Sequence, residues 1–161
     1  MSSSRREDNP LARTALQRYL RTGVRSTQEA LTYLRRRGVP ASRAASSVAA
    51  SRAHGLLDDR AAARLWAGHW ARQGYAAAAV QRKLAHKGFD EPASRDAIER
   101  ACPPSEDEIR ARLVLAQHVS RASGAAARPR LARALASRGF DSDVIERILG
   151  EPVDPSDPDA E

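Results

Sequence analysis

Counted from three glycines, Gly38, Gly88 and Gly139, the apolar positions of this chain fall into a single register. Eight residues before each glycine stand Ala30, Val80 and Leu131, and four before it stand Leu34, Leu84 and Leu135. One residue after it come Val39, Phe89 and Phe140, and ten after it Val48, Ile98 and Leu149. The residue directly before the glycine is always basic: Arg37, Lys87 and Arg138. The glycines are 50 and then 51 residues apart, a period that marks tandem repeats. The positions at minus eight and minus four share one helical face. The basic residue complements the dipole of a last helical turn. The glycine suits the C′ position, where a left-handed backbone is needed. The motif therefore predicts the end of one helix in each repeat.

The polar positions between these marks extend each repeat to three helices. In residues 11–55 a first helix over "PLARTALQRYLRT" is followed by Gly23. Ser26 and Glu29 then form a capping box for the second helix. A third runs from about Ala41 to His54 and ends at Gly55. In residues 56–103, Asp58 or Asp59 caps the first helix. The second spans about Ala76 to Lys87 and the third about Pro92 to Ala101, before "CPP" breaks the chain. In residues 104–150 an acidic first turn opens "SEDEIRARLVLAQHVSRAS", a middle helix ends at Arg138, and "DSDVIERILG" is the last. Gly124 and Pro129 make the start of that middle helix its least defined boundary. Residues 1–10 are expected to be a flexible N-terminus. The proline-rich acidic tail, 151–161, has almost nothing to bury and is expected to be disordered.

Composition agrees with an all-α chain. Alanine, leucine and arginine are strong helix formers, only 4% of residues are aromatic, and no segment alternates as a strand would. Charge adds a direction. The net charge is +7, and it is uneven: residues 11–54 hold nine arginines against one acid, Glu29. An excess of this kind favours an anionic partner, either nucleic acid or an acidic protein surface, although a solvated basic surface explains part of it. With Cys102 as the only cysteine, no intrachain disulfide forms. The apolar runs are too short to span a bilayer, and "MSSSRREDNP" carries no secretory segment. A cytoplasmic protein with no membrane association is expected.

Candidate chemistry is sparse. His54, His69, His86 and His118 have no partner at metal-ligand spacing, and Cys102 lies in no nucleophile motif. No catalytic, metal or cofactor site is expected. The basic residues carry the binding candidates. Arg35, Arg36 and Arg37 either grip anions, with Arg43 and Arg52 in support, or form a solvated helix end. Arg64, Arg72, Arg82, Lys83 and Lys87 form either a partner-facing stripe or an ordinary exposed face. Trp66 and Trp70, four apart, either stack bases or fill a core. Leu16 and Leu20 at the same register positions in the first repeat favour the core.

The segments "RSTQEALTYLRRRGVP" and "GLLDDRAAARLWAGHWARQGYAAAAVQRKLAHKGF" resemble the RecX family of bacterial regulatory proteins. The matching residues are Arg25, Ser26, Glu29, Leu34, Gly38, Leu57, Asp58, Asp59, Gly74, Tyr75, Leu84, Lys87 and Gly88. "RGFDSDVIERIL" is similar to the family's final helix pair, so the resemblance covers roughly residues 11–150. It implies three tandem three-helix repeats in a curved, elongated array, with no enzymatic activity and no cofactor. It also implies a protein that binds the RecA recombinase filament on single-stranded DNA and inhibits its ATPase, strand exchange and coprotease activities; an array this short is expected to be a monomer. Arg25, Arg35, Arg36, Arg43, Arg64, Arg72, Arg82 and Lys83 become the candidate contacts, and Gly38, Gly88 and Gly139 the repeat caps. The alternative is a helical nucleic-acid-binding module without a recombinase partner.

Overall fold

The computed structural model describes residues 10–119 and 127–150. Among them every regular element is helical. In chain order these are α1 (Pro10–Arg21), α2 (Thr27–Arg36), α3 (Ala41–Ala53), α4 (Asp59–Arg72), α5 (Ala77–His86), α6 (Glu91–Ala101), α7 (Asp107–Val119), α8 (Ala127–Ser137) and α9 (Ser142–Gly150). A short 3-10 turn, Pro104–Glu106, leads into α7. The expected flexible residues 1–9 and the acidic tail lie outside the described residues. Pro10, expected to be part of the flexible segment, is the first residue of α1.

The local signals act where the sequence puts them. Ser26 accepts from the Glu29 N–H while the Glu29 carboxylate accepts from the Ser26 N–H, a complete capping box. Asp58 is the side-chain cap of α4, accepting from the Ala61 N–H at 3.0 Å, and Asp90 caps α6 through the Ala93 N–H at 2.9 Å. Gly38, Gly88 and Gly139 have φ of 78°, 80° and 84°. Each sits in a Schellman closure. The Val39, Phe89 and Phe140 N–H groups reach back to the Leu34, Leu84 and Leu135 carbonyls, and the glycine N–H groups to Arg35, Ala85 and Ala136. Two of the carbonyls left over at each of these helix ends are thereby satisfied by the backbone itself.

Two compact units result. Among the described residues, one holds 10–66 with 83–97, and the other 67–82 with 98–119 and 127–150. In the first, α1, α2 and α3 pack on one another around Ala12, Leu16, Ala30, Leu34, Ala44, Val48 and Leu57. In the second, α7, α8 and α9 do the same around Val114, Leu115, Leu131, Leu135, Phe140 and Ile148. The leucines at minus four, Leu34, Leu84 and Leu135, are all fully buried. The minus-eight position is buried too, and its size varies as Ala30, Val80 and Leu131.

Each unit is also held by one helix end docking on the start of another helix, Lys87 on Ser26, 61 residues earlier, and Arg138 on Ala76. In the first unit the closure at Lys87–Gly88 meets the N-terminus of α2: the Ser26 hydroxyl donates to the Lys87 carbonyl. In the second, the closure at Arg138–Gly139 meets the N-terminus of α5: the Ala76 N–H donates to the Arg138 carbonyl at 3.0 Å. Ser26 and Ala76 hold the same register position, twelve before their own glycine. The repeat glycines are therefore docking points as well as caps.

Candidate interaction surface

Five of the residues that carry the family resemblance, Ser26, Glu29, Asp59, Lys87 and Gly88, meet at the first of these junctions. Glu29 sits in the first turn of α2, where the capping box takes a Glu or a Gln. Its other oxygen accepts from the Lys87 ammonium at 3.2 Å. The same ammonium lies 4.0 Å from the centre of the Trp66 ring, and the Trp66 indole N–H donates to the Val24 carbonyl at 3.3 Å. Asp59, the neighbour of the capping Asp58, accepts from the Thr27 N–H at 2.7 Å and satisfies another donor at the start of α2. Ser26, Glu29, Asp59, Lys87 and Gly88 are thus one structural clamp. Trp66 is half-buried and roofs the clamp, which departs from the core position expected from Leu16; Trp70 is buried, as expected from packing.

The basic candidates divide between the units. Arg25, Arg35, Arg36, Arg43, Arg64 and Lys83 belong to the first, Arg72 and Arg82 to the second. Arg35, Arg36 and Arg43 are exposed, and so are Arg72 and Arg82. Arg64 pairs with Asp96 at 2.8 Å. The pair is well exposed and adds little to stability, but it neutralises the Arg64 charge locally. Arg25 is half-buried, and its guanidinium also donates to the Thr22 hydroxyl at 3.2 Å.

A feature absent from the sequence reading lies beside these arginines. Tyr19 on α1 and Tyr33 on α2 stack with ring centres 4.1 Å apart and planes 5° from parallel. The Arg25 guanidinium covers the Tyr19 ring at 4.7 Å, and the Arg37 guanidinium covers the Tyr33 ring at 4.9 Å. Two cations and two rings form a column on the first unit. Burial pushes the Tyr19 hydroxyl above its ordinary pKa; the charges of Arg25 and Arg36 act against the rise, and Glu29 and Tyr33 act with it. The only sequence signal was that two of the chain's three tyrosines fall in the first repeat. Their stacking depends on the register of α1 against α2, which no local pattern specifies.

The carboxylates of the first unit are committed elsewhere. Among its described residues there are six acids against fourteen lysines and arginines. Glu29 and Asp59 serve the clamp, Asp58 and Asp90 cap helices, Glu91 pairs with Arg95, and Asp96 pairs with Arg64. Among the described residues no cluster of His, Cys, Asp and Glu could hold a metal ion. Cys102 is fully buried in the second unit, and burial pushes its thiol up, with the nearby Arg110 charge acting the other way. That arginine is itself buried and ties the start of α7 to the Pro103 carbonyl, Glu106 and Asp107. No helix of the described residues is long and apolar enough to cross a membrane.

No protein-family model matches the sequence, and no curated protein sequence matches it. Solved structures do match. A crystal structure of a regulatory protein RecX superposes with a TM-score of 0.76 at 19% identity, covering 90% of this chain and 74% of that one. The crystal structure of RecX from Lactobacillus salivarius superposes with a TM-score of 0.65 at 18% identity, covering 89% of this chain and 96% of that one. At this identity the likeness is one of fold. The described residues, whose regular elements are all helical, have the fold of the RecX regulatory proteins.

Proposed function

We propose that this chain is a RecX-type regulator that binds the RecA recombinase filament on single-stranded DNA and inhibits its ATPase, strand-exchange and coprotease activities. The observation that carries the reading is the RecX-like fold over nine-tenths of the chain. Five of the thirteen residues of the family resemblance, Ser26, Glu29, Asp59, Lys87 and Gly88, add to it, because they meet at one junction. In this reading the protein is a cytoplasmic monomer without catalytic activity. Its repeats are residues 11–55, 56–103 and 104–150, and its contacts are drawn from Arg25, Arg35, Arg36, Arg43, Arg64, Arg72, Arg82 and Lys83. The arginine excess of the first repeat favours a second reading, a nucleic-acid-binding module with no recombinase partner.

The test is ATP hydrolysis by a recombinase on single-stranded DNA, with increasing amounts of this protein. Inhibition at or below equal stoichiometry is expected. Arg35→Glu with Arg36→Glu should weaken it, because both side chains are exposed on the last turn of α2 and long-range charge mainly sets the association rate. The control reverses Arg128 and Arg130, exposed on α8 in the second unit. Undiminished hydrolysis at saturating folded protein would leave only the nucleic-acid module.

A further inference from the structure

The tyrosine–arginine column of the first unit has geometry that its structural role does not require. Two guanidiniums lie on the outer faces of one tyrosine pair. A cation–π contact engages the face of a guanidinium and leaves N–H groups at its edge able to donate to an anion's oxygens, although one of those of Arg25 is taken by the Thr22 hydroxyl. The stacking also removes much of the rotamer freedom that an arginine ordinarily loses on binding. A third cation, Arg36, is close enough for its charge to act on the Tyr19 hydroxyl.

The charge around the column selects the partner. Glu29 is the sole acid in residues 10–54, and it is held by the Ser26 N–H and the Lys87 ammonium. A folded protein surface offers both signs of charge, and its own cations would meet like charge here. A phosphodiester backbone offers anions alone, evenly spaced, and releases counterions when arginines bind it. We infer that the Arg25–Tyr19–Tyr33–Arg37 column, with Arg36 beside it, is a preformed seat for the phosphates of a single-stranded nucleic acid. The inference deepens the regulatory reading above and rests on it for the single-stranded partner: the seat holds the DNA of the filament, and the recombinase protein is gripped elsewhere.

The experiment is binding of a labelled oligothymidylate to the full chain across a salt series, with no recombinase present. Arg25→Gln with Arg37→Gln should make the dependence of log affinity on log salt shallower by about 1.4, which is 0.7 for each lost phosphate contact on a single strand. Tyr33→Leu keeps an apolar side chain against α1 but removes the ring between Tyr19 and Arg37. It should lower affinity several-fold while leaving the slope nearly as it was, because the charges remain. Arg128→Gln with Arg130→Gln should leave both unchanged, and melting curves should show every variant folded. A wild-type slope in the column double variant would overturn the inference, as would an equal loss in the α8 control or no oligonucleotide binding by the wild-type chain. It would be overturned as well if the double variant kept oligonucleotide binding and lost binding to DNA-free recombinase. Failure of the regulatory reading shows separately, as normal recombinase ATPase with the wild-type chain.

Discussion

Replacing Gly139 and Gly38 in turn with alanine separates two costs that coincide at a repeat closure. Both glycines have φ near +80°, where an L-residue is strained by about 1–2 kcal/mol. The loss of glycine's extra freedom in the unfolded chain offsets part of that. Their surroundings differ. A Cβ at Gly38 would meet nothing within 4 Å, so Gly38→Ala should cost the conformational strain alone, net about 1 kcal/mol. A Cβ at Gly139 would fall 2.6 Å from the Ala79 Cβ and 3.1 Å from its backbone nitrogen. Neither of those atoms can swing away, so α8 must back off from α5, adding an overpacking cost of about 1–3 kcal/mol. Gly88→Ala, whose Cβ would lie 2.5 Å from the Gln28 Cβ, should behave like Gly139→Ala. The assay is urea denaturation followed by circular dichroism, with the midpoint and the slope both recorded. Equal losses at Gly38 and Gly139 would refute the docking argument and leave backbone conformation as the whole effect.

Lys87→Met should destabilise the first unit by about 1–2 kcal/mol, through lost interaction with the Trp66 ring and with Glu29. In a Glu29→Gln background, which preserves the capping box, the same change should cost less, and a double-mutant cycle in urea with no coupling would contradict the clamp. The Cys102 thiol, fully buried and held above its ordinary pKa by that burial, should react with a disulfide reagent only after unfolding; rapid labelling of the native protein would show that the second unit opens locally.

Much of the helical layout was legible in the sequence because its signals are local. A capping box depends on Ser26 and Glu29 three residues apart, and a Schellman closure on a glycine one turn past a buried leucine. Such signals place a helix end within a residue or so, as α2, α3 and α5 show. The 50-residue period then implied that three closures would be alike, and in backbone conformation they are. Their surroundings were not legible. Gly38 is open, whereas Gly88 and Gly139 are wedged against α2 and α5, because only the later closures have an earlier middle helix to dock on. Trp66 shows the same division. Its register matches buried Leu16, yet a larger ring at that position extends past the core to the Lys87 ammonium. The basic candidates followed from charge counting, which cannot tell Arg64, paired with Asp96 across α4 and α6, from Arg35 and Arg36 at an exposed helix end. The Tyr19–Tyr33 column was out of reach altogether. Periodicity determines which face of α1 and of α2 turns inward. How far one helix slides along the other, and so which rings stack and which arginines cover them, is decided only when the two faces interlock.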